Sequence, residues 1–257
     1  LGRTAEVADL QEEERKLTQF INTHLWSEKE AFYFDRLRDG SLSGHKSIGA
    51  YWALLAGVVS PEQAGRFIEH LRSPGEFNRP HRVPTLAADD PGYDRETGNY
   101  WRGGVWAPTN YMVLRGLTHA KEDALAHEIG LNHLQNVVEV FKNTGTVWEN
   151  YAPESPTQGN PAKPNFVGWT GIPPIAVLLE YVLGLRPDAA REALLWDIRL
   201  LEAHGVNSYP LGADTIVNLQ CAARDGANEE PVLKVSTNRP VTLTIRWACG
   251  EKTMRLT

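Results

Sequence analysis

The sequence predicts a mainly α-helical chain of helical hairpins followed by a small antiparallel β unit. Three observations predict it. Six segments before residue 187 carry apolar residues at helical spacing, whereas the segments after it alternate apolar and polar residues at strand spacing. Two long loops rich in Pro, Gly and Asn, residues 76–104 and 146–169, both run from a helix end to a helix start. That common direction places them at one end of the helical assembly. A domain boundary near residue 187 gives a helical domain over 1–187 and a small β-sandwich-like domain over 188–257. No internal repeat of fixed period is visible.

The first helix is expected over 4–26, with Thr4 as N-cap and a broken stripe of Val7, Leu10, Leu17, Phe20 and Ile21. The run Glu12-Glu13-Glu14-Arg15-Lys16 is its solvated face. Residues 31–40 read as a short strand entering an Asp39-Gly40 turn, with Asp35 as a loop carboxylate. A second helix covers 47–59. Ser60-Pro61-Glu62-Gln63 opens a third, because Ser at N-cap, Pro at N1 and Gln at N3 satisfy the free amides of a first turn. Phe77, Val83, Leu86 and Tyr93 mark the following loop as ordered, and its length marks it as functional. Helices follow over 105–119, with Pro108 tolerated in the first turn, and over 121–142, stopped by Asn143-Thr144-Gly145. The last helix covers 169–185. Strands are expected over 194–206, 215–222, 232–237, 241–247 and 253–256.

Composition excludes several classes of function. The 257 residues are 42% hydrophobic and 23% charged, with a net charge of −6 and no basic cluster. Phosphate backbones demand concentrated Lys and Arg, so nucleic acid is not an expected partner. No apolar run reaches the ~20 residues that span a bilayer. There is no signal peptide, and a start at Leu-Gly-Arg reads as a processed or excerpted chain, so the compartment stays open. Cys221 and Cys249 lack zinc-ligand spacing and could pair or stay reduced. The eight His show no metal-binding spacing. His81 reads as a surface or capping residue before a ligand contact. No cofactor is implied, although the carboxylates of Asp89–Asp94 suit a calcium ion. Trp196 and Trp247 read as strand core before polysaccharide contacts.

The chemistry concentrates between Asn99 and Tyr151. Trp101, Arg102, Gly103, Trp106 and Asn110 open this stretch; Glu149 and Tyr151 close it, with Trp169 beyond. Aromatic rings cover the apolar faces of a pyranose, and planar polar groups read its hydroxyls. A single Trp is usually core; Trp-Arg-Gly-Gly-Val-Trp together with Trp-Glu-Asn-Tyr points to a sugar site. A plain helical scaffold would instead bury both Trp101 and Trp106 and leave no opening toward Glu149.

Tyr100–Tyr111 resembles the Tyr-Trp-Arg-Gly-x-x-Trp-x-x-x-Asn-Tyr signature of glycoside hydrolase family 63 and its relatives, the trehalases and mannosylglycerate hydrolases. Glu149-Asn150-Tyr151 resembles that family's segment around its catalytic base, and Pro84-Thr85-Leu86 and Asp89-Asp90-Pro91 its preceding loop. The resemblance covers roughly residues 20–185. It implies an (α/α)6 barrel, of which this chain holds about half, and inverting hydrolysis of α-glycosidic bonds in an oligosaccharide or small α-glycoside. Glu149 matches the general base, expected beside Arg102 and open to water in its charged form. Trp101 and Trp106 would wall the subsite of the non-reducing sugar, with Gly103 in the binding motif. Arg102 and Asn110 would bond sugar hydroxyls or hold the walls and carboxylates in place, and Tyr151 and Trp169 would lie near Glu149.

The chain departs from that pattern in one respect. The family's general acid is an Asp in a Gly-Trp-Asp-type segment, and by the order of motifs it would fall before Leu1. Three explanations stay open. The chain is the C-terminal half of a longer enzyme, with the N-terminal half as its partner; or Asp89, Asp90 or Asp94 serves as acid; or the chain binds sugar without hydrolysing it.

Overall fold

The computed structural model describes residues 3–257. The chain divides into two compact units, 1–171 and 172–257. The last expected helix therefore begins in one unit and ends in the other. Residues 172–187, expected with the helices, belong to the unit that holds the two larger sheets.

The first unit opens with α1, Thr4–His24, whose cap is Arg3 rather than Thr4 and makes no side-chain capping bond. The expected apolar stripe of α1 is there, yet Val7, Leu10, Leu17 and Phe20 are each exposed over about half of their surface or more. Strands β1 (Trp26–Ser27) and β2 (Phe32–Tyr33) form a short antiparallel pair. A 3-10 turn at Ile48–Tyr51 leads into α2, Trp52–Leu55. Helix α3, Pro61–Arg72, begins with the expected capping box: Ser60 Oγ accepts from Gln63 N, and Gln63 Oε1 accepts from Ser60 N. Helices α4 (Ala107–His119) and α5 (Asp123–Thr144) pack on each other, and α4 also packs on α2. Gly145 ends α5 in the left-handed conformation, at φ +73°.

The core of this unit is aromatic at one end and aliphatic at the other. Tyr51 stacks on Phe67 at 4.6 Å, and Phe32 meets Phe67 edge-on at 5.2 Å. Val113, Leu114 and Leu117 of α4 and Leu125, Ile129, Val137 and Val140 of α5 are buried along the helix pair. Each fully buried side chain of this size contributes ~1.5–3 kcal/mol. The long loop 76–104 is fixed by backbone bonds, among them Ile48 N to Thr85 O from outside it and Thr85 N to Gly104 O within it. A short α6, Val167–Thr170, closes the unit.

The second unit begins with a π-helix, Pro173–Val182, where an α-helix was expected. Pro173 and Pro174 supply no amide hydrogens to a regular ladder, and Leu183 N reaches back five residues to Leu178 O. Two sheets follow. One has the order β3 (Leu185–Asp188), β4 (Ala193–Asp197), β8 (Val241–Trp247), β9 (Gly250–Leu256); the other runs β5 (His204–Leu211), β6 (Thr215–Cys221), β7 (Leu233–Thr237). Every pairing is antiparallel except β4 with β8, which is parallel, so the four-stranded sheet is mixed rather than antiparallel throughout. The cause is topological. The chain leaves β4, builds the whole second sheet and returns beside β4 in the same sense, the long crossover that a parallel pair needs.

The expected strand over 194–206 accordingly breaks into β4 and β5, which lie in different sheets. Between them, the buried Arg224 donates to the carbonyls of Ile198 and Leu200. Leu194, Trp196, Leu211, Val217, Leu219, Leu243 and Ile245 bring both sheets into one core. Trp196 is 1% exposed and donates to Leu183 O, so it is core. Cys221 and Cys249 are both free. No described helix is long and apolar enough to cross a membrane.

Removing the capping hydroxyl tests the register of α3. Ser60→Ala is expected to cost about 1 kcal/mol, read as a lower urea midpoint with unchanged slope.

Candidate active site

Two loops make the site, and a reciprocal pair of backbone bonds joins them beside it. Val105 N donates to Tyr151 O at 2.8 Å, and Tyr151 N donates to Val105 O at 3.0 Å. Trp106 follows on one side, and Glu149 precedes on the other. The loop that delivers Trp101 turns tightly on glycine. Gly98 sits at φ +75°, and a Cβ there would lie 2.3 Å from Gly104 N; Gly103 sits at φ +130°, and a Cβ there would lie 2.7 Å from the Tyr93 ring. Any side chain at either position would displace backbone or an aromatic ring. Asn99 and Tyr100 also have positive φ, 30° and 67°. Two consecutive non-glycine residues in that region store strain of the kind found at functional sites.

The aromatic side chains form a layered platform. Trp101 stacks on Trp106 with centroids 4.6 Å apart and planes 4° from parallel. Trp106 is 2% exposed and Trp101 is 51% exposed. Of the two expected walls, only Trp101 offers a face to solvent. Trp106 backs it, because its other sides are taken by Tyr100 edge-on at 4.7 Å and by Trp169 at 5.8 Å. Its indole Nε1 donates to Tyr100 O at 3.0 Å.

Glu149 is joined to this platform through Trp169. Trp169 Nε1 donates to the backbone O of Glu149 at 2.8 Å, and Glu149 N donates to Lys163 O at 2.9 Å. The residue is 6% exposed, so it meets water over only a small part of its surface, where an open position was expected. Nor does Arg102 pair with it; the guanidinium Nε donates to Gly92 O instead. The Glu149 carboxylate has no hydrogen-bond or ion-pair partner among the described residues.

The other expected site residues are placed as follows. Asn110 is fully buried; its Oδ1 accepts from Val83 N at 2.7 Å, and its Nδ2 donates to Val83 O and Trp106 O. All its capacity goes to main chain, so it holds the loop and the Trp106 turn. The Gly103 amide donates to Thr85 Oγ1 at 3.1 Å. Tyr151 is buried, accepts from Trp148 N at 3.2 Å, and has its hydroxyl pKa pushed up to about 12 by that burial.

Asp89, Asp90 and Asp94 each have other partners. Asp89 pairs with Lys46 at 2.9 Å. Asp90 accepts from Gly92 N and lies 2.7 Å from His45 Nδ1. Asp94 Oδ1 accepts from the Thr97 and Gly98 amides. No group of three or more potential metal-binding side chains occurs among the described residues.

Two features had no clear sequence signal. The left-handed Asn99-Tyr100 pair is hinted at only by Asn after Gly. The second is a buried histidine pair. His81 was expected at the surface or as a cap, but it is 0% exposed, with Nε2 2.9 Å from Nδ1 of the equally buried His133. His81 N also donates to Pro153 O, so the pair ties the first loop to α5 and to the chain just after Tyr151. Burial, and for His81 also the neighbouring imidazole, pushes His81 well below the ordinary imidazole range; burial takes His133 to about 4. The 52 residues separating them in sequence hide the pairing.

The mannosylglycerate hydrolase MGH1-like glycoside hydrolase domain matches residues 1–170, the stretch that contains every residue of this site. The chain belongs to this family. Among curated relatives of this MGH1-like chain, an uncharacterised Borreliella burgdorferi protein is 28% identical over 74% of the chain and 42% of its own length. A probable mannosyl-oligosaccharide glucosidase of Schizosaccharomyces pombe is 28% identical over 67% of the chain and 23% of its own length. The chain thus spans less than half the length of these relatives. Among solved structures, neutral trehalase Nth1 from Saccharomyces cerevisiae aligns with a TM-score of 0.55 over 66% of this chain and 30% of its own, at 18% identity. That likeness is one of fold.

The histidine pair sets an acid limit on stability. The unfolded chain takes up protons below an imidazole pKa of ~6.5 while the folded pair stays neutral, so stability falls as pH drops from there toward about 4. His133 alone is expected to lower stability by roughly 2 kcal/mol at pH 5. Thermal melts at pH 7.5 and pH 5 should show this loss in the wild type and a smaller one in His133→Gln.

Proposed function

We propose that this chain forms the C-terminal side of the active site of an inverting α-glycoside hydrolase, with Glu149 as general base and Trp101 as the floor of the sugar subsite. One observation carries the reading. An exposed indole face, Trp101, and the backbone of Glu149, whose carboxylate has no hydrogen-bond or ion-pair partner among the described residues, are tied to one platform through Trp106 and Trp169. A pyranose laid on Trp101 would bury an apolar ring face and hold its anomeric carbon near the Glu149 segment. Glu149 would take a proton from a water attacking opposite the leaving group. Inversion requires a second carboxyl group, protonated, ~6.5–9.5 Å away to leave room for that water.

The second carboxyl is proposed to be an Asp from a portion of a longer enzyme preceding this chain. The turn and ion-pair roles of Asp89, Asp90 and Asp94 support this reading over a local acid. So do the exposed apolar residues of α1 and the relatives' greater length. In the same reading the helices are about half of an (α/α)6 toroid. The substrate class is an α-glucoside or α-mannoside, in keeping with the glucosidase named among the relatives. The shortage of an acid favours one alternative for the chain by itself: sugar binding without hydrolysis.

A panel of p-nitrophenyl α-glucoside, p-nitrophenyl α-mannoside, trehalose and kojibiose tests both. Glu149→Gln in the active enzyme is expected to lower kcat about 100- to 10,000-fold; unchanged activity removes Glu149 from the base role. Trp101→Ala should weaken sugar binding about 10-fold by calorimetry. An isolated chain that binds but never hydrolyses supports the alternative.

A further inference from the structure

The segment after Glu149 reaches back to the loop that carries Trp101 through one carboxylate. Glu154 receives a two-pronged bond from Arg79, Nε to Oε1 and the second terminal nitrogen to Oε2, both at 2.8 Å. The Tyr93 hydroxyl donates to the same Oε1 at 2.9 Å. Arg79 and Glu154 side chains are only 15% and 21% exposed, so the pair is well shielded from solvent. A two-pronged guanidinium–carboxylate bond fixes direction as well as distance.

Tyr93 transmits that fixed position. Its ring fills the space where a Gly103 side chain would be, with Cε2 2.7 Å from that Cβ site. The chain on either side of Tyr93 is laced to Arg102: Asp94 N donates to Arg102 O at 2.7 Å, and Arg102 Nε donates to Gly92 O at 2.8 Å. Arg102 directly follows Trp101. Glu154 lies three residues beyond Tyr151 and five beyond Glu149, on a segment whose Tyr151 is paired with Val105.

We infer that Glu154 and Tyr93 are positioning residues: the Arg79–Glu154–Tyr93 clamp sets the placement of the Trp101 face relative to Glu149. The inference rests on the sugar-site reading given above and adds residues that touch neither sugar nor water. The Val105–Tyr151 bonds, the His81 N to Pro153 O bond and the Asn160 N to Thr97 O bond join the two loops through main chain. The clamp adds a directional side-chain attachment to these, and it bears on Tyr93, the ring that underlies Gly103 beside Trp101. Positioning errors on the scale of 1 Å cost about 100-fold when they separate a catalytic group from its bound substrate. Loss of one of three bonds in the clamp should cost less.

Glu154 is charged in this arrangement. Burial would raise its carboxyl pKa, but the Arg79 and Tyr93 hydrogen bonds outweigh burial and hold it below the ordinary range. Tyr93, buried against that charge, has its hydroxyl pushed up and keeps its proton for donation.

The test compares Tyr93→Phe, Glu154→Gln and the double variant in the complete active enzyme, with Glu149→Gln as control and thermal melts on each. Tyr93→Phe keeps the ring beneath Gly103 and removes only the bond. It is expected to lower kcat about 10-fold with KM within about 2-fold and the melting temperature nearly unchanged. Glu154→Gln should do the same, and the double variant should be no worse than the more severe single one, because both break the same clamp. A kcat equal to wild type in folded Tyr93→Phe and Glu154→Gln overturns the inference, as does a lowered melting temperature with kcat intact. Glu149→Gln separates the failures. If it is inactive while Tyr93→Phe turns over normally, only the clamp is wrong; if it remains active, the site itself is wrong and the clamp with it.

Discussion

Everything at the site depends on the reciprocal pair of backbone bonds between Val105 and Tyr151. The two residues are buried, and each satisfies the other's main-chain donor and acceptor. Buried main-chain groups left unpaired would cost ~1–3 kcal/mol each, so this short bridge has a strong reason to persist. It places the turn into α4 beside the strand-like run that leaves α5. Val137 and Val140 of α5 pack with Val105 and Tyr151, so α5 supplies the apolar floor on which the bridge lies. Without that floor, two long loops rich in Pro and Gly would have no common reference.

Much of this was legible in the sequence, and the reasons are local. The capping box at Ser60, the stop at Gly145 and the strand alternation after residue 187 are each written within a few residues, and the structure shows those features. The family was legible for the same cause: the Tyr100–Tyr111 run is continuous. What failed was information held across distance. Trp106 reads like Trp101, and only its neighbours Tyr100 and Trp169 make one a backing and the other a surface. Glu149 was expected beside Arg102, but the short reach from Arg102 to Gly92 O takes the guanidinium elsewhere. His81 and His133 could not be paired from spacing at all. The parallel pairing of β4 with β8 was equally hidden, because alternation gives strands without giving partners.

The site residues divide by what they touch. Asn110, Gly103 and Thr85 are engaged with main chain, so their place is to shape the loop. Among the expected site residues, Trp101 keeps a large apolar face uncovered, and the Glu149 carboxylate has no partner among the described residues. Strain at Asn99 and Tyr100 is concentrated next to the first of these. A relaxed backbone there would have no need of the Gly98–Gly104 contact or of the Tyr93 ring under Gly103.

The mixed sheet of the second unit bears on how the chain comes to be folded. Strand β4 pairs in register with β8, Ala193 opposite Thr242, and the whole β5–β6–β7 sheet lies between them in sequence. Contacts of such long separation close late, since the intervening loop must first lose its freedom. On a ribosome, β4 emerges with β3 as its only early neighbour and waits for more than forty further residues before its other edge is filled. During that interval the open edge of β4, with Leu194 and Trp196 on it, is the segment most in need of protection from pairing with another chain.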